Sequence, residues 1–248
     1  MNNVFRDENR KQCGLLGTRS PTNWLRGKNM KYKAVIFDLD GTLIDSMGVW
    51  FQVDVEYLAK RNIEVEENLF SQVEGGNSFI EIAQFFKKRF NLPDTLEEIM
   101  NEWTEMVAHH YENNVKLKSG ALELIQYLKS KNIKLGIGTS NSKYLTEIVL
   151  KANDVLQYFD CIVAGCEEIK GKPFPDIFLK LASQLKVDAS ECIVIEDVLV
   201  GVKAAKKAGM KVFAIYDKYS KKEKAEISEI ADFYANDFQQ ILEKFNHE

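Results

Sequence analysis

The stretch KAVIFDLDGT, residues 33–42, is an apolar run that ends in an acidic turn. Runs of similar length, rich in β-branched residues, recur at 134–140 (KLGIGTS), 160–165 (DCIVAG), 192–197 (CIVIED) and 211–217 (KVFAIYD). Apolar runs without a polar side are typical of strands that are buried on both faces, as in parallel sheets. We therefore predict a parallel sheet with the first run as one of its buried strands.

Helical patterns fill the intervals between these predicted strands. They cover residues 119–131, 143–152, 175–185 and 199–208. Alternation of strands and helices is typical of α/β proteins in which helices cover both faces of a parallel sheet. The sequence thus predicts a doubly wound, Rossmann-like α/β fold.

Residues 46–118 interrupt this alternation. They contain three amphipathic segments and no strand pattern, with turn signals at 75–77 (GGN) and 91–93 (NLP). The helical segments are predicted at 48–61, 78–90 and 95–112. We interpret 46–118 as a small all-α domain inserted into an α/β core domain that comprises 30–45 and 119–248.

Polar side chains follow several of the predicted strands at the point where each strand ends. The carboxyl ends of parallel strands line the ligand crevice of an open α/β sheet, so we expect these side chains to meet there. They are Asp38 and Asp40 after the first run, Thr139, Ser140 and Asn141 after the second, and Glu196 and Asp197 after the fourth, with Lys172 in the preceding GKPFPD segment.

These residue types fit phosphoryl transfer. Clustered carboxylates repel one another unless a cation lies among them, and oxygen ligands suit Mg²⁺. Asp38 can attack phosphorus, and Asp40 can protonate the leaving oxygen. Lys172 and the hydroxyls of Thr139 or Ser140 can hold the phosphoryl oxygens, and such positioning supplies most of the catalysis in this chemistry.

Four segments also resemble, in order and spacing, the motifs of the haloacid dehalogenase superfamily. They are FDLDGTLIDS (37–46), GTSNS (138–142), GKPFPDIF (171–178) and VIEDVLVGVKAAKKAGM (194–210), within a resemblance that covers 32–245. The similarity is to the β-phosphoglucomutase and phosphoglycolate phosphatase-like subfamily, which has a helical C1-type cap. It implies that residues 46–118 form this cap, which closes over the substrate.

The resemblance also implies roles for the acidic residues. Asp38 would be the nucleophile and a Mg²⁺ ligand, and Asp40 the general acid/base, with its backbone carbonyl touching the metal. Asp197 would be a further metal ligand, with Glu196 nearby or acting through water.

For the phosphate, the resemblance implies a second group of residues. Thr139 matches the second motif, Ser140 and Asn141 would bind phosphate through backbone and side chain, and Lys172 would pair with Asp38 and the phosphate.

A Mg²⁺-dependent phosphatase for a small phosphorylated metabolite, such as a sugar phosphate, is the function that these residues favour. A phosphomutase of the β-phosphoglucomutase type is the alternative, although the cap segment GGNSFIE (75–81) lacks Arg and Lys, and Trp50 stands where such mutases carry His. A dehalogenase would not need Asp40. A binding module without activity would be expected to have lost a carboxylate or the lysine.

Composition narrows the possible partners. The chain has 248 residues and a net charge of −4, which argues against a general nucleic-acid binder. No apolar run approaches the roughly 18 residues of a membrane span, and the four cysteines form no C-x-x-C pair. We expect a cytoplasmic monomer without nucleic-acid or membrane partners.

Residues 1–29 differ from the rest of the chain. They contain six Lys or Arg against Asp7 and Glu8 and show neither a helical nor a strand period. We predict a disordered extension, with Met30 as a plausible natural start.

Overall fold

A single parallel sheet forms the centre of the computed structural model, which describes residues 31–64, 79–165 and 169–247. The strands are β1 (Ala34–Phe37), β2 (Lys134–Thr139), β3 (Cys161–Ala164), β4 (Cys192–Glu196), β5 (Lys211–Ile215) and β6 (Phe233–Ala235). Their order across the sheet is β3-β2-β1-β4-β5-β6, with every neighbouring pair parallel. The predicted doubly wound α/β fold is confirmed. The extension 1–29 and the turn at 75–77 lie outside the described residues.

Seven of the described helices correspond to predicted segments with small shifts at their ends, and the last two, after β5 and β6, were not predicted. They are α1 (Met47–Ala59), α2 (Phe79–Arg89), α3 (Leu96–Asn113), α4 (Ala121–Ser130), α5 (Lys143–Ala152), α6 (Asp176–Leu185), α7 (Leu199–Lys207), α8 (Lys224–Ile230) and α9 (Phe238–Asn246). Within the described ranges, none is both long and apolar enough to cross a bilayer.

Two helical layers cover the sheet because successive strand residues point to opposite faces. Val35 and Phe37 of β1 belong to the apolar cluster that includes residues of α4, α5 and α9. Ala34 and Ile36 belong to a second cluster, formed with α6, α7 and α8. All four residues of β1 are buried, which agrees with the uninterrupted apolar run in the sequence.

Helices α1 to α3 lie between β1 and α4 along the chain, where the sequence predicts the inserted domain. Their core is aromatic: the Trp103 ring lies 5.5 Å from Tyr57 and 4.9 Å from Phe86. Helix α3 begins in a capping box formed by Thr95 and Glu98, and it packs against α1, α2 and α5. It therefore joins the other two helices to the layer that covers the sheet.

The two chain segments that lead into and out of these helices pair with each other. The Asp45 N–H donates to the Lys116 carbonyl at 3.1 Å, and the Lys118 N–H donates to the Leu43 carbonyl at 3.0 Å. The Asn153 side chain, at the end of α5, bonds to the backbone of the outgoing segment at Leu117. The division into a core and an inserted domain, 46–118, stays a prediction, and we call these residues the helical insertion.

Candidate active site

Strand register brings the predicted site residues to one edge of the sheet. Phe37, the last residue of β1, pairs with Ile137 of β2 and Ile195 of β4. The Asp38 N–H continues the pairing by donating to the Ile195 carbonyl at 2.9 Å. Asp38 therefore leaves the central strand between the ends of β2 and β4, where Thr139 and Glu196 lie.

Lys172 reaches this edge from the loop before α6. Its Nζ lies 2.6 Å from Asp38 Oδ1 and 2.5 Å from Glu196 Oε1, and its side chain is 3% exposed. Burial alone would lower the pKa of Lys172, but the attraction of Asp38 and Glu196 outweighs burial and raises it. The ammonium group therefore stays charged and holds two strand ends together.

Among the described residues, three buried carboxylates cluster here, and two of them bond to Lys172. Asp38, Glu196 and Asp197 each offer an oxygen within 4.8 Å of the others. Burial, together with the charge of Glu196, raises the pKa of Asp38 to about 7 against the opposing effect of Lys172. Burial and the charges of Glu196 and Asp38 raise the pKa of Asp197 well above its usual range. One ammonium does not balance three carboxylates, and this all-oxygen cluster fits a divalent cation such as Mg²⁺.

The turn after β1 packs tightly against Asp197. The Thr42 hydroxyl donates to Asp197 Oδ1 at 2.7 Å. Gly41 has φ +79°, and a Cβ at that position would lie 2.6 Å from Asp197 Oδ2. A side chain would therefore be strained there and would push Asp197 away, which explains the glycine of the DGT motif.

Glu196 is held by partners at both of its oxygens. Oε1 bonds to Lys172, and Oε2 accepts from the backbone N–H groups of Asp197 and Val198 at 2.7 and 3.1 Å. A Cβ on Gly201 of α7 would overlap the Glu196 carboxylate, so this glycine lets the helix approach the acid. These contacts fix the geometry of the turn that carries Asp197.

Asp40 has a different environment, in which four side chains of the described residues donate to it. Its Oδ1 accepts from the Ser46 hydroxyl at 2.6 Å, from Trp50 Nε1 at 3.3 Å and from the Tyr111 hydroxyl. Its Oδ2 accepts from Asn141 Nδ2 at 2.9 Å. The carboxylate is thereby oriented from both sides.

The Tyr111 hydroxyl lies at the centre of this group. Besides donating to Asp40, it accepts from Trp50 Nε1 at 3.0 Å and from Asn141 Nδ2 at 3.1 Å. Tyr111 is fully buried, and burial together with the charge of Asp40 raises its pKa well above the usual range. The phenol therefore remains a hydrogen-bond donor.

The second-motif residues lie beside these groups. Thr139 is buried, and its Oγ1 accepts from the Asn141 N–H at 3.0 Å. The Asn141 side chain, expected to bind phosphate, bonds to Asp40 and Tyr111 here. Ser140 is partly exposed at the same strand end. The phosphate-binding roles of Thr139, Ser140, Asn141 and Lys172 stay predictions.

Sequence reasoning missed two contacts of Asp40. Ser46 closes the quoted FDLDGTLIDS segment and could have been found there, whereas Tyr111 lies in a helix whose pattern gives no sign of a site. Trp50 takes part both in the site and in the packing of the helices. Its Nε1 donates to Asp40, and its ring lies 5.9 Å from that of Phe79.

Comparison with known proteins agrees with the resemblance inferred from the motifs. The family described as haloacid dehalogenase-like hydrolase matches residues 35–215. A bifunctional riboflavin kinase/FMN phosphatase from Arabidopsis thaliana is 32% identical over 182 residues, which cover 73% of this chain but only 48% of that protein. A phosphorylated carbohydrates phosphatase from Thermotoga maritima is 30% identical over 178 residues, covering 72% of this chain and 82% of that enzyme.

A solved structure extends this comparison to the whole fold. The crystal structure of β-phosphoglucomutase from Clostridium difficile matches with a TM-score of 0.71 and 25% identity, covering 87% of this chain and 98% of that chain. The predicted similarity to both phosphatases and phosphomutases is confirmed.

Proposed function

The chain belongs to the haloacid dehalogenase-like hydrolases and is an enzyme of their phosphatase type, and we propose that it dephosphorylates a small phosphorylated metabolite with Asp38 as nucleophile. The observation that carries this proposal is that two carboxylates close together in the chain have different surroundings. Asp38 lies in a buried cluster with Lys172. Asp40, two residues later, accepts hydrogen bonds from neutral donors that orient it. One acid is suited to attack and the other to proton transfer.

The proposed reaction has two steps. An Asp38 carboxylate oxygen attacks phosphorus, the bond from phosphorus to the ester oxygen breaks, and Asp40 gives that oxygen its proton. Water then attacks the aspartyl-phosphate, Asp40 takes a proton from the water, and the bond from phosphorus to Asp38 breaks. Lys172 stabilises the charge that develops on the phosphoryl oxygens.

We propose Mg²⁺ as the cofactor, since three carboxylates face one lysine. The carboxylates of Asp38 and Asp197 and the main-chain carbonyl of Asp40 would hold it, with Glu196 beside them. When bound, the ion would neutralise negative charge on the phosphoryl group. Glu196 already accepts bonds at both oxygens, so its principal task in this proposal is to hold Lys172 and the backbone at Asp197.

The substrate is proposed by chemical class. The relative from Thermotoga maritima is a phosphatase of phosphorylated carbohydrates, which supports a sugar phosphate or a similar ester. Thr139 and Ser140 would bind the phosphoryl oxygens beside Lys172, with Asn141 through its backbone. The helical insertion would cover the site as a cap. The monomeric state and the cytoplasmic location expected from the sequence stay predictions.

A phosphomutase is the second candidate because the chain is similar to β-phosphoglucomutase over nearly its whole described fold. The position at which such mutases are expected to carry His is Trp50, whose indole donates to Asp40. We therefore favour water, rather than a second hydroxyl of the substrate, as the acceptor of the phosphoryl group.

Phosphate release from a panel of sugar, polyol and nucleotide monophosphates tests the proposal. We expect release in Mg²⁺, none in EDTA, and none from Asp38→Asn under either condition. Interconversion of hexose phosphates without phosphate release would favour the mutase. Release that survives in Asp38→Asn would contradict the mechanism.

A further inference from the structure

We propose that Tyr111 of the helical insertion is a positioning residue that holds Asp40 in place to protonate the leaving group. The inference rests on the proposed function, because it assigns Tyr111 a role in the same reaction. Tyr111 is 71 residues from Asp40 in sequence, and its hydroxyl donates directly to Asp40 Oδ1. It lies near the end of α3, not on the sheet.

The donors to Asp40 fall into two groups by origin. Asn141 follows β2, and Ser46 stands directly before α1, close to the pairing between the incoming and outgoing segments. Trp50 lies within α1 and Tyr111 within α3. Two of the four donors therefore belong to helices that the chain inserts between β1 and α4.

Among these donors, Tyr111 connects the two groups. Its hydroxyl donates one bond and accepts two, from Trp50 of the helical insertion and from Asn141 of the sheet edge, which uses its full capacity. Trp50 contributes a longer bond to Asp40, at 3.3 Å. Removing the Tyr111 hydroxyl thus deprives Asp40 of one donor and leaves Trp50 and Asn141 with Asp40 as the acceptor that they share.

This arrangement links leaving-group protonation to the packing of α3 on the sheet. If α1 and α3 separated together from the sheet edge, Asp40 would lose its bonds to Trp50 and Tyr111 but keep those to Ser46 and Asn141. A small misplacement of a catalytic group can cost a large factor in rate. Asp40 would then be correctly aimed only while the helices of the insertion lie over the site and exclude water.

Two aryl esters separate a positioning role from general damage to the enzyme. Para-nitrophenolate leaves without needing a proton, whereas phenolate is a poorer leaving group and depends on the acid. We expect Tyr111→Phe to lower kcat/KM for phenyl phosphate about tenfold and that for para-nitrophenyl phosphate less than about twofold. The ratio of the two losses in kcat/KM reports cleavage of the bond between phosphorus and the ester oxygen in the first step, before water is activated.

Tyr57→Phe is the matched control. Tyr57 is a buried tyrosine of α1 whose hydroxyl has no hydrogen-bond partner within the described part of the chain. Removing that hydroxyl should change neither substrate's kcat/KM by more than about twofold, because no hydrogen bond among the described residues is lost. The contrast between the two Tyr→Phe changes isolates the bond to Asp40.

The outcomes decide the inference. Equal losses on both esters, or no loss on either, would overturn it. If Tyr111→Phe does not fold, Trp50→Phe takes its place: a loss confined to phenyl phosphate supports the coupling, and an equal loss on both esters overturns it. A wild-type enzyme that releases phosphate in Mg²⁺ neither from these esters nor from the sugar, polyol and nucleotide monophosphates would contradict the proposed function itself, and the inference with it.

Discussion

Asp38 and Asp40 are separated by one residue, yet their side chains have partners of different kinds. Asp38 pairs with a buried lysine beside two more carboxylates, and all of these groups come from the α/β core. Asp40 is partly exposed and accepts from neutral donors, two of which come from α1 and α3. The site thus has a charged half at the edge of the sheet and a hydrogen-bonded half that α1 and α3 complete.

The difference has a physical reason. Charge neutralisation needs cations and carboxylates held at fixed distances, which strand ends in register provide. Proton transfer to a leaving group is useful only when the substrate is bound and shielded from water. If the helical insertion caps the site as proposed, placing two of the Asp40 donors on it meets that condition.

The largest effect is expected in the charged half. Asp38→Asn should abolish turnover, because the amide cannot attack phosphorus. It should also keep the fold, since it removes one of three clustered carboxylates and its burial and backbone pairing remain possible. Phosphate release and circular dichroism check the two parts. Activity near the wild-type level would remove Asp38 from the role of nucleophile.

A smaller loss of turnover is expected from a change in the hydrogen-bonded half. Asp40→Asn should slow turnover by about 10²-fold or more, through loss of the acid and base. The new amide oxygen can still accept from Ser46, whereas the new NH2 group would face the donating Nδ2 of Asn141, so Tm should fall slightly while the fold is kept. An unchanged rate on alkyl phosphates would show that proton transfer does not pass through Asp40.

Much of the charged half could be predicted from sequence, because its residues follow apolar strands directly. Asp38, Glu196 and Asp197 each stand where such a run ends, and parallel register brings those ends together. Lys172 was identified by its motif, since a lysine in a loop carries no other signal.

The hydrogen-bonded half was less accessible to sequence reasoning. Tyr111 occupies an apolar face of α3, where an aromatic residue is most simply part of the core. The side chain of Asn141 bonds to Asp40 and Tyr111, and no pattern in the sequence indicated these two contacts. Strand β6 was also missed, because three residues are too few to show a period.

A moderate effect is expected on the free energy of unfolding of the metal-free protein when the pH is changed. Without metal, burial raises the pKa of Asp38 to about 7 and that of Asp197 well above its usual range. In the unfolded chain both return to about 3.9, so the native state holds protons that the unfolded chain releases. The free energy of unfolding of the metal-free protein should therefore fall as the pH rises from about 4 to about 7.

Mg²⁺ should reverse this loss by stabilising the ionised carboxylates. We expect the increase in Tm on adding Mg²⁺ to be larger at about pH 8 than at about pH 5. Asp197→Asn is the control, since it removes one proposed ligand and should shrink the increase. An increase of equal size at both pH values would argue against ion binding at this cluster.

The smallest effect is expected from deleting residues 1–29. The described chain enters the fold at Tyr32, which is buried, and at Lys33, whose N–H donates to the Glu191 carbonyl. A chain that starts at Met30 keeps both contacts and every proposed site residue, so kcat/KM and Tm should match those of the full chain. A deletion that continues through Tyr32 removes a buried ring and should lower Tm. If the shorter deletion already reduced kcat/KM severalfold, the extension would be part of the working enzyme, and the site would no longer be confined to the core and the helical insertion.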